Sequence, residues 1–522
     1  MAYDDLHPLP PQPTPPRFEL SASPPHAVPG VDVVAVPVLP AEAGRAPGDP
    51  ATGPLLGPGA AELGDALGVD LIGVLEAERA TGKAGELTSV PVPSGVAGNE
   101  ALRCVLLVGV GAQRPDDLRR AGAAVARAAR GRDAVASSVA AVAPQEGLTA
   151  FVVGAVLGSF AFTFRSAPLE RPPVPRIVLA DTGDELAPAL ARAEAVALAG
   201  WRARQLATVP SNVKNPPWLA ARAEELAREA GLDITVWDEQ RLAVDGFGGI
   251  LAVGQASVTP PRLIRLDYTP PGAGRGTPTV ALVGKGITFD TGGLSIKPGE
   301  SMTTMKRDMT GGAVVMATLA ALREVGCPVR VVGLVAAAEN AVGGASMRPG
   351  DVIRHYGGRT TEVTNTDAEG RLVLGDGLAY AVAQVRPDVV VDVATLTGAM
   401  KVALGQQVGG LFANRDALAE RLRAASLEAG EPLWRMPLAE AYEPKLSSTV
   451  ADADNAPGGP GAVVAALFLQ HFVADLPWAH LDVASVGDSP DDAFEWTPGP
   501  TGFGARVLLA WLGSDNPLEG IA

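Results

Sequence analysis

The chain has 522 residues, 47% of them apolar and 19% charged, which excludes a disordered or fibrous protein and leaves room for at least two domains. A formal net charge of −16 repels phosphate backbones and disfavours nucleic-acid binding. The two cysteines, Cys104 and Cys327, each sit beside an apolar run; they exclude a disulfide framework and a zinc site built from Cys pairs, and suit a reducing cytoplasm.

In chain order, residues 1–28 are proline-rich, lack the basic start and apolar core of a signal peptide, and read as a flexible tail. Residues 29–183 read as an N-terminal α/β domain. Within them "VDVVAVPVL", "LRCVLLVGVG" and "PRIVLAD" have strand character, and "DDLRRAGAAVARAARG" has helical character. The uncharged "GLTAFVVGAVLGSFAFTF" at 147–164 is barely long enough to span a bilayer. Its Gly, Ser and Thr content, and the lack of a second such segment, read as a buried helix of a soluble protein.

Residues 184–214 follow a long helical pattern and read as a linking helix. Residues 215–522 form a second α/β domain. The runs "PTVALVGKGITFD", "VRVVGLVAAAEN" and "PDVVVDVATLTG" look like strands buried on both faces. "GGAVVMATLAALREVG" and "GRLVLGDGLAYAVAQV" look like the helices between them. The fold class predicted is therefore α/β, with a mostly parallel central sheet flanked by helices in the larger domain.

Ionisable residues gather where these strands give way to loops, the usual place for function in such a sheet. Lys285, Asp290 and Lys297 lie in "VGKGITFDTGGLSIKP", Asp308 in "MTTMKRDMTGGA", and Asp367, Glu369 and Arg371 in "TNTDAEGRLVL". Four carboxylates beside apolar segments cannot be buried together without positive charge. Two divalent cations about 3.5–4 Å apart would supply it and would suit hydrolysis. In an extended segment residues two apart share a face, so Asp367, Glu369 and Arg371 would look into one cavity. Ordinary alternatives stand beside this: Asp308 as a helix N-cap, Lys285 and Lys297 as solvated loop lysines, Asp367 and Glu369 as a solvated turn.

The stretch "NTDAEGRLVL" resembles the signature of the leucyl aminopeptidases, also called cytosol aminopeptidases. The segments around Lys285 and Asp308, together with "ENAVGGASMRPGDVI", "VDVATLTGAMKVALG" and "WAHLDVAS", resemble that family in the same order, from about Arg204 to the C-terminus. A weaker likeness at "GLTAFVVGAVLGSFAF" implies a small macro-like N-terminal domain before the larger catalytic one at 215–522.

The resemblance implies two divalent metal ions per subunit, Mn²⁺ or Zn²⁺. One would be held by Lys285, Asp290, Asp308 and Glu369, the other by Asp290, Asp367 and Glu369. It implies a catalytic pair, Lys297 polarising the scissile carbonyl and Arg371 holding a bicarbonate as proton shuttle. Met305, Thr395, Leu396, Thr397 and Gly398 would line the substrate pocket. The expected activity is release of leucine-like N-terminal residues from short peptides with a free amino end, in cytoplasmic peptide turnover. The expected assembly is a homohexamer, without membrane or nucleic-acid partners. A DNA-binding role is opposed by the acidic charge. A two-metal phosphatase or amidase is opposed by the lysine ligand and Arg371. "DMTGGAVV" departs from the family in its second glycine, and "ADADNAPGGPGAVVAALFL" in lacking a basic residue near its glycine turn.

Overall fold

The computed structural model describes residues 9–41, 53–143 and 146–521. These fall into two units: Leu9–Trp201 with Pro490–Pro498, and Arg202–Ser489 with residues 499–521. The division lies inside one helix, Ala187–Thr208, so the expected linking segment 184–214 is shared between the units. The stretch 490–498 leaves the expected run of 215–522 and joins the first unit. There a buried Arg119–Glu495 ion pair and the Arg120 guanidinium, 4.2 Å over the Phe494 ring, hold it.

The strands of the first unit are β1 (Arg17–Ser21), β2 (Val33–Leu39), β3 (Leu55–Leu56), β4 (Leu87–Pro91), β5 (Cys104–Gly109), β6 (Val135–Ser137) and β7 (Arg176–Ala180). They form a sheet in the order β1-β7-β6-β2-β5-β4, with β3 paired to β2. The tail therefore does not run loose to residue 28. Its first eight residues lie outside the described ones, but β1 buries Phe18 and pairs in parallel along the whole of β7. Alternation in "RFELS" is the signal that the proline density masks. The apolar segment at 147–164 forms the helix Glu146–Gly158 within the unit's core, and no helix among the described residues is long and apolar enough to cross a membrane.

The second unit runs β8 (Asp233–Trp237), β9 (Arg262–Tyr268), β10 (Thr279–Asp290), β11 (Arg330–Asn340), β12 (Val352–Arg354), β13 (Thr360–Glu362), β14 (Val389–Ala394), β15 (Gly409–Ala413), β16 (Leu433–Arg435), β17 (Ala453–Asp454) and β18 (Trp478–Asp482). Its main sheet has the order β16-β15-β18-β14-β10-β11-β9-β8. The centre, β18-β14-β10-β11, is parallel, while β9, β8 and β15 join antiparallel. The chain leaves β10 for β11 on one side and returns to β14 on the other. Divergence of this kind opens a crevice at the carboxyl ends of neighbouring parallel strands.

The crossover helix Thr310–Leu319 lies almost on the sheet. A Cβ on Gly311 would stand 1.9 Å from the Val393 carbonyl oxygen, and one on Gly312 2.6 Å from Val335 Cγ1. The double glycine of "DMTGGAVV" thus permits a close helix–sheet approach that draws Asp308 toward β10 and β14. A second, small sheet, β12-β13-β17, flanks the segment 364–371 and fixes where it sits.

Candidate active site

Lys285 and Asp290 are five apart on β10, and in a regular strand an odd separation sends side chains to opposite faces. The register against β11 slips between Ile287 and Phe289, leaving Thr288 as an extra residue. Such a bulge resets the alternation, and both side chains join one cluster. The Lys285 ammonium lies 2.8 Å from Asp308 Oδ2 and 2.8 Å from Glu369 Oε1, and donates to the Thr395 carbonyl oxygen at 3.1 Å. Lys297 lies 2.8 Å from Asp290 Oδ2 and pairs closely with Asp367. Neither lysine is a solvated loop residue. Asp308 is not the N-cap of the helix Thr310–Leu319, a place taken by Met309; its Oδ1 accepts from Thr395 Oγ1 at 2.7 Å.

The segment 364–371 is a turn running into a helix, not the extended strand expected for it. Residues 366–367 form the turn, Glu369 already has helical backbone, and Gly370–Tyr380 is the helix. Asp367 and Glu369 converge because this turn folds them back over β10. Ligand oxygens of Asp290, Asp367 and Glu369 all lie within 4.8 Å of one another. Gly370 is obligatory here: a Cβ would stand 2.5 Å from Lys285 Cε. Arg371 does not simply share the cluster's face. It is buried in the first helical turn, and its Nη1 donates to the Asn455 carbonyl oxygen at 2.6 Å.

The electrostatics identify a cation deficit. Burial, then the charge of Asp290, pushes the Glu369 carboxyl up to about 8 despite two nearby ammonium groups. Asp308 and Asp367 are raised as well, burial being the main cause in each. Burial works against the Lys285 and Lys297 ammonium groups, but the surrounding carboxylates outweigh it and hold both above their usual range. Burial pulls the Arg371 guanidinium down to about 10, against the pull of Glu369 and Asp482. Asp308 Oδ2 and Glu369 Oε1 share the one Lys285 ammonium, and Asp367 Oδ1 pairs with Lys297, so two ammonium groups face four carboxylates. Oxygens with spare lone pairs, crowded and under-compensated, fit a hard divalent cation. Asp367, with a third of its side chain exposed, marks the open side of the cluster.

The family model for the catalytic domain of the cytosol aminopeptidases matches residues 201–509, and the model for their N-terminal domain matches residues 50–167. The chain belongs to the cytosol aminopeptidase family. A probable cytosol aminopeptidase of Roseiflexus castenholzii is 45% identical over 428 residues, 78% of this chain and 87% of that one. One of Streptomyces coelicolor is 41% identical over 489 residues, covering 88% and 93%. Among solved structures, a mutant tomato leucine aminopeptidase is similar with a TM-score of 0.81 at 32% identity, covering 96% and 98%. A bottromycin maturation enzyme in complex with Mn is similar at 0.80 and 37%, covering 93% and 99%. As a member of this family the chain is a metal-dependent exopeptidase acting at peptide N-termini.

The other predicted site residues of this aminopeptidase are placed as follows. Met305 begins the short turn Met305–Arg307 that leads into Asp308, and is half-buried. Thr395 follows β14 and touches the cluster directly through its two oxygens. Leu396 is half-buried. Thr397 points away, its Oγ1 donating to Asp482 Oδ2 at 2.7 Å, and Gly398 is exposed.

Three positioning residues escape sequence reasoning. Asn340, at the end of β11, donates from Nδ2 to Asp290 Oδ1 at 2.8 Å and to the Thr366 carbonyl at 3.1 Å. Asp482, at the end of β18, accepts from the amides of Leu396 and Thr397 and so fixes the 395–397 loop. Asn455, just after β17, accepts from the amides of Thr364 and Asn365 and donates to the Asn365 carbonyl at 2.7 Å. The signal available was position: each is a polar residue at a strand's carboxyl end, inside a segment that resembles the family.

Proposed function

We propose that this aminopeptidase uses two divalent ions, Mn²⁺ or Zn²⁺, to release leucine-like residues from short peptides with a free amino end. The convergence of Asp290, Asp367 and Glu369, in a cluster where four carboxylates share two ammonium groups, carries this reading. The Mn complex of the bottromycin maturation enzyme supports manganese for the ions. Asp290, Asp308, Asp367 and Glu369 would hold the ions, with Lys285 joining them as the neutral amine that a neighbouring dication favours, and the ions would supply Lewis acidity and make water nucleophilic at neutral pH.

The remaining groups are this chain's own instruments. Thr395 sets the rotamer of Asp308, and Asn340 that of Asp290. Lys297, 15% exposed beside the open edge, would meet the oxyanion that develops on the scissile carbonyl. Arg371 keeps its Nε buried without a hydrogen bond. A free guanidinium edge of this kind suits a small planar oxyanion such as bicarbonate, able to pass a proton. Met305, Thr395, Leu396, Thr397 and Gly398 would form the pocket and groove for the substrate. Homohexamer assembly and a cytoplasmic role in peptide turnover belong to the same proposal, by likeness to the family.

The test is hydrolysis of leucine p-nitroanilide and of its N-acetylated form, with and without Mn²⁺. Cleavage of the free-amine substrate alone, dependent on metal, is expected. Equal cleavage of the blocked substrate would sink the exopeptidase mechanism.

A further inference from the structure

Arg307 is the residue immediately before Asp308, and the structure gives its side chain no adequate partner. Only 16% of the side chain is exposed, its Nε is buried without a hydrogen bond, and the nearest carboxylate, Asp488 Oδ1, lies 4.0 Å away. A guanidinium largely removed from water and loosely paired is costly unless something else meets it. Its position says what that could be. The absence of a side chain at Gly487 lets the Arg307 head lie against the backbone there, beside Thr395: a Cβ would stand 2.9 Å from Arg307 Nη1, 3.0 Å from the Val483 carbonyl oxygen and 3.2 Å from Thr395 Cγ2. Thr395 in turn hydrogen-bonds Asp308 and the Lys285 ammonium. The guanidinium head therefore lies beside Thr395, a residue of the proposed substrate pocket, one residue removed from the carboxylate cluster.

The surroundings are positively biased. Asp488 is half-buried, and burial raises its carboxyl although Arg307, Lys306 and Lys401 all act on it from nearby. One carboxylate thus faces several cationic side chains. A planar guanidinium with free N–H donors recognises carboxylate and carboxamide oxygens better than any other side chain does.

We propose that Arg307, modulated by Asp488, is a specificity-determining residue that lets this pocket accept N-terminal glutamate or glutamine in addition to apolar residues. The inference rests on the aminopeptidase reading above and names a substrate class for the same site. An N-terminal side chain ending in an acceptor oxygen would take the place that Asp488 fills only loosely.

The experiment compares kcat/KM for the p-nitroanilides of leucine, glutamine and glutamate, on Mn²⁺-loaded protein, for the wild type, Arg307→Met and Asp488→Asn. In the wild type, glutamine and glutamate are cleaved at rates measurable beside leucine. In Arg307→Met the ratio of glutamate or glutamine to leucine falls about ten- to a hundredfold, the usual effect of removing one charged donor from a bound acceptor. In Asp488→Asn the glutamate-to-leucine ratio rises, because the competing carboxylate is gone. This second variant keeps the test open if Arg307→Met fails to fold. Unchanged ratios in either variant, or a parallel loss for all three substrates, would overturn the proposal and make Arg307 a structural neighbour of Asp308. Wild-type cleavage of leucine alone would overturn it while leaving the aminopeptidase reading intact. Cleavage of none would remove that reading itself, and this inference with it.

Discussion

Replacing Asn340 with Ala tests whether the cluster is preorganised from behind. Asn340 is 2% exposed, and its one amide nitrogen ties Asp290 Oδ1 to the Thr366 carbonyl, linking the end of β10 to the turn that carries Asp367 and Glu369. Losing a hydrogen bond to a charged group costs roughly 1.5–3 kcal/mol and one to a neutral carbonyl roughly 0.5–1.5, so about 2–4.5 kcal/mol is at stake in all. Asp290 keeps the Gly292 amide at 2.8 Å and the Lys297 contact but gains freedom to rotate. Removing partners that orient metal ligands typically weakens metal affinity about 10- to 100-fold. The assay is calorimetric titration of metal-stripped protein with Mn²⁺, alongside the thermal unfolding midpoint with and without the ion. The variant should bind Mn²⁺ at least tenfold more weakly, and the gain in midpoint from added metal should shrink. A lowered midpoint with unchanged Mn²⁺ affinity would refute the reasoning, because Asn340 would then only join two loops.

Glu369→Ala removes the buried carboxylate that faces both Lys285 and Asp290, and should abolish activity and lower metal content; activity with two bound metals by elemental analysis would refute its assignment. Arg371→Ala should lower turnover by about a hundredfold or more, as expected for a lost proton-transfer device, while metal content stays near two per subunit. Loss of metal there would make Arg371 structural, through its bond to Asn455. The buried pair His480–Asp392 gives a pH prediction. Burial opposes charge on the imidazole, but Asp392, 2.5 Å away, prevails and raises its pKa. A raised folded-state pKa means the pair's contribution is complete below the unfolded value of about 6.5 and fades as pH rises through the folded value. The gap in unfolding midpoint between the wild type and His480→Gln should therefore narrow toward alkaline pH; a constant gap would show that the pair acts without charge.

The main strands of the larger unit were legible because buried parallel strands write themselves as unbroken apolar runs. "PTVALVGKGITFD" became β10 and "VRVVGLVAAAEN" became β11 nearly residue for residue. β1 was hidden by prolines on either side, and its partner β7 is more than 150 residues away. The short strands β12, β13 and β17 were missed for a related reason: two or three residues carry no periodicity. In the site, residue types and their order pointed to the carboxylates and lysines, whereas Asn340, Asp482 and Asn455 look like ordinary loop residues until their contacts are seen.

By itself the sequence determined the two α/β patterns, the chemical inventory of four carboxylates and two lysines at strand ends, and the family those segments resemble. Those are local properties, set by residue type and spacing. Only the tertiary structure decided how the inventory converges. An extra residue at Thr288 brings Lys285 and Asp290 to one face, although five residues separate them. A turn, not an extended strand, swings Asp367 and Glu369 over β10. The physical reason is that a side chain's direction depends on backbone register and on packing against distant segments. The double glycine beneath the crossover helix, which lets Asp308 approach Lys285, gains its meaning only once the helix is laid on the sheet.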